Sequence, residues 1–337
     1  MQYNQRMFWL SVLGFSSIIY MVVALSKFRP NNVPIFPPPD AEETSVCGTS
    51  TSSSTSSSPT IFFITPTYPR REQVAELTRL GQTLLLAGNV HWVVAEDSDI
   101  CSPLVAALLK RLDLPYTHLI SPQPNIYKEA KLKYNPRGVS SRRAGLSWVM
   151  EHQPEGVVYF GDDDNTYDIR LFKEIATTKQ VSMFPVGFIG IQGVSSPIVV
   201  DGKVVGFSDD WFAQRKFPVD MAGFAVNLEF LRLRNKKADR AMPYKAGYEE
   251  DVFLQNLNLT LDDIEPMASD CTEVLVWHTK TVKEKKSSLR PLDETRAMES
   301  NLGKLLEQVS FMGLGNVVRG GRKVKTCYDM KQCKTSG

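Results

Sequence analysis

The pattern of apolar and polar residues changes its period along residues 60–167, from short apolar runs to helical spacing and back. Short runs rich in β-branched and aromatic residues predict buried strands. Segments in which apolar residues recur every three or four positions predict helices. Strands are expected at 60–65, 91–95, 116–120 and 156–161, with helices at 73–86, 103–112 and 137–150. Strands that alternate with helices predict an α/β fold with a mostly parallel sheet.

The first 59 residues have a different pattern. Residues 7–25 are uncharged and mostly apolar, close to the ~20 residues that a helix needs to cross a bilayer, and they predict a transmembrane signal anchor after a short cytoplasmic tail at 1–6. A cleaved signal peptide is the alternative, although residues 23–26 fit a small-x-small cleavage site poorly. Residues 26–59 are rich in Pro, Ser and Thr and predict a flexible stem. This is the plan of a single-pass type II Golgi membrane enzyme with a lumenal domain, and also of a tethered binding domain.

Composition limits the classes of partner. The 337-residue chain is 42% hydrophobic, which is enough for a sizeable core. Its 39 Lys and Arg against 37 Asp and Glu leave a formal charge of +2, so nucleic acid is not expected as a partner. Neither a G-x-G-x-x-G nor a Walker phosphate loop is present, which disfavours dinucleotide cofactors and ATP. Residues 287–337 form a C-terminal extension that is weakly helical at 297–311 and has no assigned role.

Five cysteines cannot all pair within one chain. Cys47 lies in the predicted stem and is expected to link two chains of a homodimer in an oxidising lumen. Cys327 and Cys333 flank a short segment and are expected to close a small loop. Cys101 and Cys271 are expected to be buried thiols.

Three consecutive aspartates, Asp162, Asp163 and Asp164, follow the strand predicted at 156–161. The carboxyl ends of strands are where α/β sheets bind their ligands. Carboxylate oxygens are hard ligands that suit Mg²⁺ or Mn²⁺, and a cation held there bridges a diphosphate. The triplet therefore predicts a metal site, with an acidic turn as the alternative.

A basic cluster precedes the helix predicted at 137–150. Arg137 and Arg142 are spaced to reach one anionic ligand from a loop and a first helical turn, where backbone N–H groups also favour phosphate. Solvated surface arginines are the alternative interpretation.

Six longer segments of the chain form a recognisable set. They are ITPTYPR (64–70), HWVVAED (91–97), PRGVSSRRAGLSW (136–148), GVVYFGDDDNTY (156–167), FPVDMAGFAV (217–226) and VLVWHTKT (274–281). Taken together, these segments resemble the β-1,3-glucuronyltransferases of glycosyltransferase family 43. This resemblance implies a GT-A fold, a Rossmann-like catalytic domain over about 60–286, with a donor half at 60–167 and an acceptor half at 168–286. It also implies Mn²⁺ and an inverting transfer of glucuronic acid from UDP-glucuronic acid to the 3-hydroxyl of a terminal β-galactose.

Position in the family pattern implies a donor site. Pro66 and Tyr68 would frame the uracil, with Asp97 accepting from its N–H group. The remaining donor residues would meet the ribose, the diphosphate and the metal ion. Asp164 would be the direct Mn²⁺ ligand. These residues are Arg137, Arg142, Asp162, Asp163, Asp164 and His278.

The acceptor hydroxyl must lose a proton as it attacks the sugar, which calls for a carboxylate base. Among Glu249, Glu250 and Asp251 the family pattern selects Glu250, while its two neighbours are expected to be a charged first turn of a helix. Arg215 and Asp220 match positions near the acceptor, although capping of the following apolar segment is an alternative role for Asp220.

Two departures put the acceptor preference in doubt. Ser195 and Lys280 match acceptor-contacting positions where the family carries a glutamate and an arginine, and neither replacement offers the same hydrogen bonds. The expected acceptor is a galactose-terminated glycan, such as the Gal-Gal-Xyl linkage or N-acetyllactosamine. The alternatives are a non-catalytic lectin-like relative and a transferase that uses another UDP-sugar. A glycosylation sequon at Asn258 agrees with a lumenal location.

Overall fold

The architecture of this chain is built around one large mixed sheet. A computed structural model describes residues 44–51, 59–129, 136–211, 213–282 and 291–327. The membrane anchor predicted at 7–25 lies outside these residues. Among the helices described, none combines the length and apolar composition that a bilayer crossing needs.

The described strands and helices are numbered in chain order. The strands are β1 (Ser45–Ser50), β2 (Ile61–Thr67), β3 (Val90–Glu96), β4 (Tyr116–Ile120), β5 (Val157–Phe160), β6 (Thr166–Tyr167), β7 (Val181–Met183), β8 (Val186–Gly187), β9 (Val194–Val200), β10 (Lys203–Ser208), β11 (Phe224–Asn227), β12 (Ile264–Pro266), β13 (Val276–Trp277), β14 (Leu292–Asp293), β15 (Asn316–Gly320) and β16 (Lys323–Cys327). The helices are α1 (Gln73–Ala87), α2 (Pro103–Arg111), α3 (Asn125–Glu129), α4 (Val139–His152), α5 (Arg170–Ile175), α6 (Leu228–Arg234), α7 (Glu249–Asn256), α8 (Glu294–Met298) and α9 (Asn301–Phe311), with one further helical turn at Ala268–Cys271.

The central sheet has eight strands in the order β1-β4-β3-β2-β5-β11-β7-β12. Strands β4, β3, β2 and β5 run parallel to one another, whereas β1 runs antiparallel to β4 and β11 runs antiparallel to β5 and β7. This confirms the predicted α/β fold with a mostly parallel sheet, and the predicted strands and helices of residues 60–161 match the observed ones to within two residues at nearly every end.

The chain reverses its direction of winding at β2. It adds β3 and β4 on one side of β2 and then crosses to add β5 on the other side. A crevice forms beyond the carboxyl ends of two strands at such a topological switch point, and α/β proteins bind ligands there. The loops that follow β2, β3 and β5 are therefore brought together.

Helices cover both faces of this sheet. On one face α1 buries Leu77, Leu80 and Leu84, and its Gly81 lies so close to Trp92 that an added Cβ would stand 3.0 Å from the ring. On the other face α4 packs through Gly145, where a Cβ would stand 2.5 Å from the Ile64 side chain. Small residues at these contacts let the helices approach the strands closely.

Two smaller sheets complete the described chain. A five-stranded sheet in the order β10-β9-β8-β13-β6 is formed by strands from residues 166–277. A three-stranded sheet, β14-β16-β15, joins α8 and α9 in the C-terminal extension. Its own small core holds Ala297, Leu306 and Val324. The extension is thus structured, and its helix at 301–311 lies within the predicted weakly helical segment.

The prediction of a flexible stem over residues 26–59 is wrong for part of that segment. Residues 45–50 are not a linker but an edge strand, β1, which pairs antiparallel with β4. No local pattern marks this strand, because its pairing partner lies about 70 residues away and strand formation depends on such non-local contacts.

The predicted intermolecular role of Cys47 is also wrong. Cys47 forms a disulfide with Cys101 of the same chain, with the Cα atoms 5.7 Å apart, so Cys101 is not a buried thiol either. Cys271 is a free, half-buried thiol. Cys327 is disulfide-bonded, and Cys333, the partner predicted for it, lies outside the described residues.

The disulfide predicts a large stability effect. Because it closes a loop of 54 residues, the chain-entropy relation gives a stabilisation of about 4 kcal/mol. Cys47→Ser is therefore expected to lower the midpoint of thermal unfolding by many degrees, measured by calorimetry without reductant. Cys271→Ser is the matched control and is expected to have little effect. Rapid alkylation of Cys47 in the native, unreduced protein would contradict the assignment.

Candidate functional site

An open cleft of about 550 Å³ lies beyond the carboxyl ends of β2, β3 and β5. Its volume is in the range of small-molecule sites. Eight of the nine predicted donor residues line it, and they are Pro66, Tyr68, Asp97, Arg137, Arg142, Asp162, Asp163 and Asp164. We call it the donor cleft.

Tyr68 provides an aromatic surface at one wall of the donor cleft. The ring is 41% exposed, and the guanidinium carbon of Arg70 lies 4.6 Å from its centroid. Arg137 approaches the same ring at 5.8 Å. Asp97 accepts a hydrogen bond of 2.7 Å from the backbone N–H of Gln123, which fixes its carboxylate at the cleft wall. The ring and the carboxylate have the chemistry needed to stack on a base and to accept from its N–H group.

The three aspartates have three different environments. Asp162 pairs with the buried guanidinium of Arg142. Asp163 is buried, accepting from the Thr67 hydroxyl at 2.6 Å and from Arg70 at 2.8 Å. The two pairs neutralise two of the three charges that the loop brings together.

Asp164 also lines the donor cleft, and among the described residues its carboxylate forms no ion pair of the kind that holds Asp162 and Asp163. Its backbone carbonyl accepts from Thr279 at 2.6 Å and from Arg79 at 2.9 Å, which fixes the loop at this residue. Burial, followed by the neighbouring charges of Asp162 and Asp163, raises the pKa of Asp164 to about 6. A cation beside it would relieve this repulsion.

The carboxylate oxygens of this loop are the atoms that could bind a metal ion, and their number decides which mode of binding they fit. Within the described residues no three His, Cys, Asp or Glu side chains are grouped to enclose a metal ion by themselves. Mg²⁺ and similar hard cations keep several waters and bind through one or two carboxylates together with substrate phosphates. A single carboxylate at Asp164 fits that mode of binding and does not fit an all-protein metal cage.

A second cleft of about 350 Å³ contains the predicted base. Its walls are formed by the start of α7, the segment before β11 and the β8–β9 turn. The lining residues are Ile189, Asp209, Trp211, Arg215, Val219, Asp220, Ala246, Gly247 and Glu250. We call it the acceptor cleft. Three residues predicted for the acceptor and the chemistry, Arg215, Asp220 and Glu250, meet here.

Glu250 has the environment of a general base. Its Oε2 atom is buried without a hydrogen-bond partner. Burial, then the charges of Glu249 and Asp220, raise the pKa of Glu250 to about 8. A carboxylate whose pKa is raised toward neutral accepts a proton more strongly than an ordinary one.

The neighbours of Glu250 are held by structural contacts. Asp220 caps the turn at Met221–Gly223 by accepting from the N–H of Ala222 at 2.9 Å, and its other oxygen lies 4.0 Å from Nδ1 of the exposed His278. Asp220 therefore has the capping role and also lines the cleft. Arg215 forms a buried pair with Asp209 at 2.8 Å and donates to the carbonyl of Trp211.

The outer residues of the α7 acidic triplet differ from Glu250. Asp251 accepts from the backbone N–H of Phe217 at 2.8 Å and from Gln255, which makes it a structural residue as predicted. Glu249 accepts from the N–H of Tyr248 at 2.9 Å. All three lie in the first turn of α7, where the helix dipole favours negative charge.

Several predicted residues are not brought into either cleft. Ser195 is buried in β9 and its hydroxyl has no hydrogen-bond partner. Lys280 is exposed, and the residues that line the two clefts do not include it. Asn258 is exposed, at the surface where a glycan would need it.

Sequence reasoning missed residues that shape both clefts. Arg70 stands in the ITPTYPR segment but was given no role, because its partner Asp163 is 93 positions away. Trp211 and Asp209 lie between the matched segments, and no local pattern marks them. The only available signal is composition, since a tryptophan beside two aspartates is unusual on a bare surface.

Comparison with known proteins gives consistent matches. The sequence profile of glycosyltransferase family 43 matches residues 80–282. Drosophila melanogaster galactosylgalactosylxylosylprotein 3-beta-glucuronosyltransferase S is 51% identical over 257 residues, which are 76% of this chain and 62% of that protein. The human protein of that name numbered 2 is 45% identical over 230 residues, covering 67% of this chain and 70% of the relative. The Caenorhabditis elegans sqv-8 protein is 44% identical over 241 residues, covering 68% and 67%.

The matched lengths differ between relatives. The chain spans 62% of the first Drosophila relative and 50% of the second, glucuronosyltransferase P. The profile match at residues 80–282 includes Asp162–Asp164 of the donor cleft and Glu250 of the acceptor cleft, whereas Pro66, Tyr68 and Arg70 precede it.

The raised pKa of Glu250 predicts a pH-dependent stability change on Glu250→Gln. Below the ordinary pKa of 4.5 the carboxyl group is neutral in both the folded and the unfolded chain. As pH rises from there through about 8, the folded protein alone resists ionisation, so the free energy of unfolding of the wild type falls. The melting temperature of Glu250→Gln minus that of the wild type is therefore expected to increase between pH 4.5 and about pH 8 and then to level off.

Thermal unfolding of both proteins from pH 4 to 9 checks this expectation. Glu155→Gln, at an exposed position, is the matched control. A constant difference between Glu250→Gln and wild type across the range would show that burial does not perturb this carboxyl group.

Proposed function

Because the chain belongs to glycosyltransferase family 43, we propose that it transfers glucuronic acid from UDP-glucuronic acid to the 3-hydroxyl of a terminal β-galactose. The observation that carries the proposal is the pair of clefts. One has the groups for a uridine diphosphate, and the other has a buried carboxylate of raised pKa. A GT-A arrangement, with donor and acceptor bound on either side of the reacting carbon, accounts for both.

In the donor cleft the chain's own groups would bind the nucleotide. Tyr68 would stack on uracil and Asp97 would accept from its N–H group. Arg137 would meet the negative charge of the nucleotide-sugar, while Arg142 holds Asp162 in place. His278, which is exposed and near Asp220 but lines neither cleft, would meet the diphosphate or sugar of the bound donor.

We propose Mn²⁺ as the cofactor, held by Asp164 together with the donor's phosphate oxygens. When bound, such an ion stabilises the negative charge that develops on the leaving diphosphate. The chain's part is to fix the loop through the Asp164 carbonyl and to present the Asp164 carboxylate in the lining of the donor cleft.

Glu250 would take the proton from the acceptor hydroxyl as that oxygen attacks C1 of glucuronic acid. The C1–O bond to UDP breaks on the far side, so the configuration at C1 inverts. The proton goes to Glu250 and the electron pair of the broken bond goes to UDP. Arg215 and Asp209, already paired, would hold the cleft in shape around the galactose.

The location is proposed on separate grounds. An intrachain disulfide is typical of proteins that fold in an oxidising compartment, and Asn258 is exposed within its sequon. Together with the apolar segment at 7–25, these features support a lumenal domain of the secretory pathway, anchored in the Golgi membrane.

The experiment that tests the function is a transfer assay. The purified chain is given UDP-glucuronic acid and a panel of β-galactosides, with Mn²⁺ or with EDTA. Metal-dependent glucuronylated product is the expected result, with UDP-glucose, UDP-galactose and UDP-N-acetylglucosamine as competing donors. UDP binding without product from any donor would favour the lectin-like alternative.

Glu250→Gln is expected to lower kcat by a factor of about 10² to 10⁴, the usual contribution of general-base catalysis. Affinity for UDP, measured by calorimetry with Mn²⁺, is expected to stay unchanged because Glu250 lines the other cleft. Glu155→Gln serves again as the control. Transfer at the wild-type rate by Glu250→Gln would remove it from this role.

Asp164→Asn is expected to abolish the difference in UDP affinity between Mn²⁺ and EDTA, because it removes the carboxylate that faces the cleft. Asp201→Asn, at an exposed turn position, is the control and should keep the difference. If Asp164→Asn retained Mn²⁺-dependent binding, the ion would have to be held elsewhere.

A further inference from the structure

A cavity of about 480 Å³ lies at the edge of the central sheet opposite to the donor cleft. Its lining includes Thr60, Val90 and Pro115, which stand at the amino ends of β2, β3 and β4. The donor cleft lies beyond the carboxyl ends of β2 and β3. Because each residue of a strand adds about 3.3 Å, the length of β3 separates the two sites by roughly 20 Å. We call this site the rear cavity.

The lining of the rear cavity is neutral. Among the described residues that form it, none is Asp, Glu, Lys or Arg. His91, the buried histidine of the lining, stays uncharged at neutral pH because burial lowers the pKa of its imidazole to about 4. The donor and acceptor clefts, by contrast, both have charged side chains in their walls. The polar groups of the rear cavity are hydroxyls and amides, from Thr49, Thr51, Thr60, Asn89 and Gln153.

Three aromatic rings stack along the wall of the rear cavity. The ring of Trp148 stacks with that of His91 at 5.3 Å between centroids and with that of His152 at 5.1 Å. Nδ1 of His152 donates to the carbonyl of Trp148 at 2.9 Å, and Nε2 of His91 shares a hydrogen bond of 2.9 Å with the Thr117 hydroxyl. Both imidazoles are thus fixed against the indole. Trp148 is half-buried and His152 is exposed, so a ligand can reach this stack.

The part of the lining that comes from β1 is also fixed. Val46 and Thr49 of this strand line the cavity. The strand is paired with β4, and the disulfide from Cys47 to Cys101 ties it to the segment before α2. A site whose walls are in place before the ligand arrives avoids the entropy cost of ordering them on binding.

These features match the chemistry of an uncharged sugar. A pyranose ring has a face of C–H groups that packs on aromatic side chains, and hydroxyls that exchange hydrogen bonds with hydroxyl and amide groups. Small-molecule sites combine aromatic walls with a few polar groups, and the volume of the rear cavity is in their range. A phosphate, sulfate or carboxylate would lose its hydration there without gaining a cationic partner from the lining.

We propose that the rear cavity binds a neutral sugar unit of a glycan, as a non-catalytic site separate from the donor and acceptor clefts. The site needs neither UDP nor a metal ion, and it does not depend on the proposed transfer reaction. Binding one glycan of a glycoprotein there would raise the effective concentration of its other glycans at the acceptor cleft.

The test is an NMR titration of the chain with three neutral disaccharides, which are diacetylchitobiose, mannobiose and lactose, and with sulfated lactose as the charged control. The imidazole signals report where a sugar binds, because His91 and His152 line the rear cavity whereas His278 lies beside Asp220 of the acceptor cleft. We expect at least one neutral disaccharide to shift the signals of His91 and His152 saturably, with or without UDP and Mn²⁺. Sulfated lactose is expected to shift neither.

Two variants locate the binding energy. Trp148→Ala removes the central ring of the stack and is expected to weaken binding of that disaccharide by roughly tenfold or more. His152→Ala truncates an exposed ring and leaves the indole in place, so a loss of about threefold is expected. Trp211→Ala, in the acceptor cleft, is the matched control and should bind the disaccharide at the rear cavity with wild-type affinity.

Melting temperatures are measured alongside, and His152→Ala decides the question if Trp148→Ala does not fold. The proposal is overturned if no neutral disaccharide shifts the signals of His91 and His152, or if the folded variants bind as tightly as the wild type. Loss of binding in Trp211→Ala alone would also overturn it, because the sugar would then occupy the acceptor cleft. Since the titration involves no transfer, a protein that binds the sugar but transfers no glucuronic acid would refute the proposed function and leave the rear cavity standing.

Discussion

A buried ion-pair network at the switch point of the sheet fixes the geometry on which the donor cleft depends. The guanidinium of Arg70 stands between Asp163 and Glu76, two carboxylates with little access to solvent. Thr67 completes the contact to Asp163 from the end of β2. Removing one partner of such a network leaves buried charge without compensation, a change that typically costs several kcal/mol. Arginine suits the position because its planar fork can serve two carboxylates and still lie over the Tyr68 ring.

The network extends into the sheet and makes the loops after three strands one unit. Gln73 donates to Thr67 at 3.3 Å and to Glu96 at 3.0 Å, and Glu96 contacts His118 at 3.2 Å. These side chains come from α1, β3 and β4, so the wall that carries Tyr68 and the loop that carries Asp164 cannot shift independently. The network supplies rigidity for the groups that would touch the nucleotide, and its own members are largely hidden from it.

The two clefts are stabilised in opposite ways. In the donor cleft most charges have partners, whereas in the acceptor cleft Glu250 has an orphan oxygen and lies near Glu249 and Asp220. A carboxyl group whose burial opposes ionisation lowers the stability of the fold at any pH above its ordinary pKa. The protein tolerates this at the position where a proton must be accepted, which is the usual trade between stability and activity at catalytic sites.

The family resemblance named nine donor residues, and the fold brings eight of them to one cleft. The physical reason is that parallel strands deliver their carboxyl ends to one edge of a sheet. Tyr68, Asp97 and Asp162, which follow β2, β3 and β5, are examples of this rule. What it could not predict depends on contacts between distant segments. The partner of Cys47, the pairing of β1 with β4 and the salt bridge from Arg70 to Asp163 all join residues that no local pattern relates. Ser195 illustrates a different limit, since family position marked it for the acceptor while the fold of β9 buries it.

The Cys47–Cys101 disulfide also determines how mechanical load would enter the domain. Tension on the chain that precedes residue 44 reaches Cys47 and passes through the covalent bond to Cys101, at the start of the segment that leads into α2. The pairs of Gly48, Thr49 and Ser50 with β4 lie beyond that junction, whereas those of Ser45 and Val46 lie before it. The part of β1 that follows Cys47 is therefore shielded from being peeled away one residue at a time by force applied to the preceding chain.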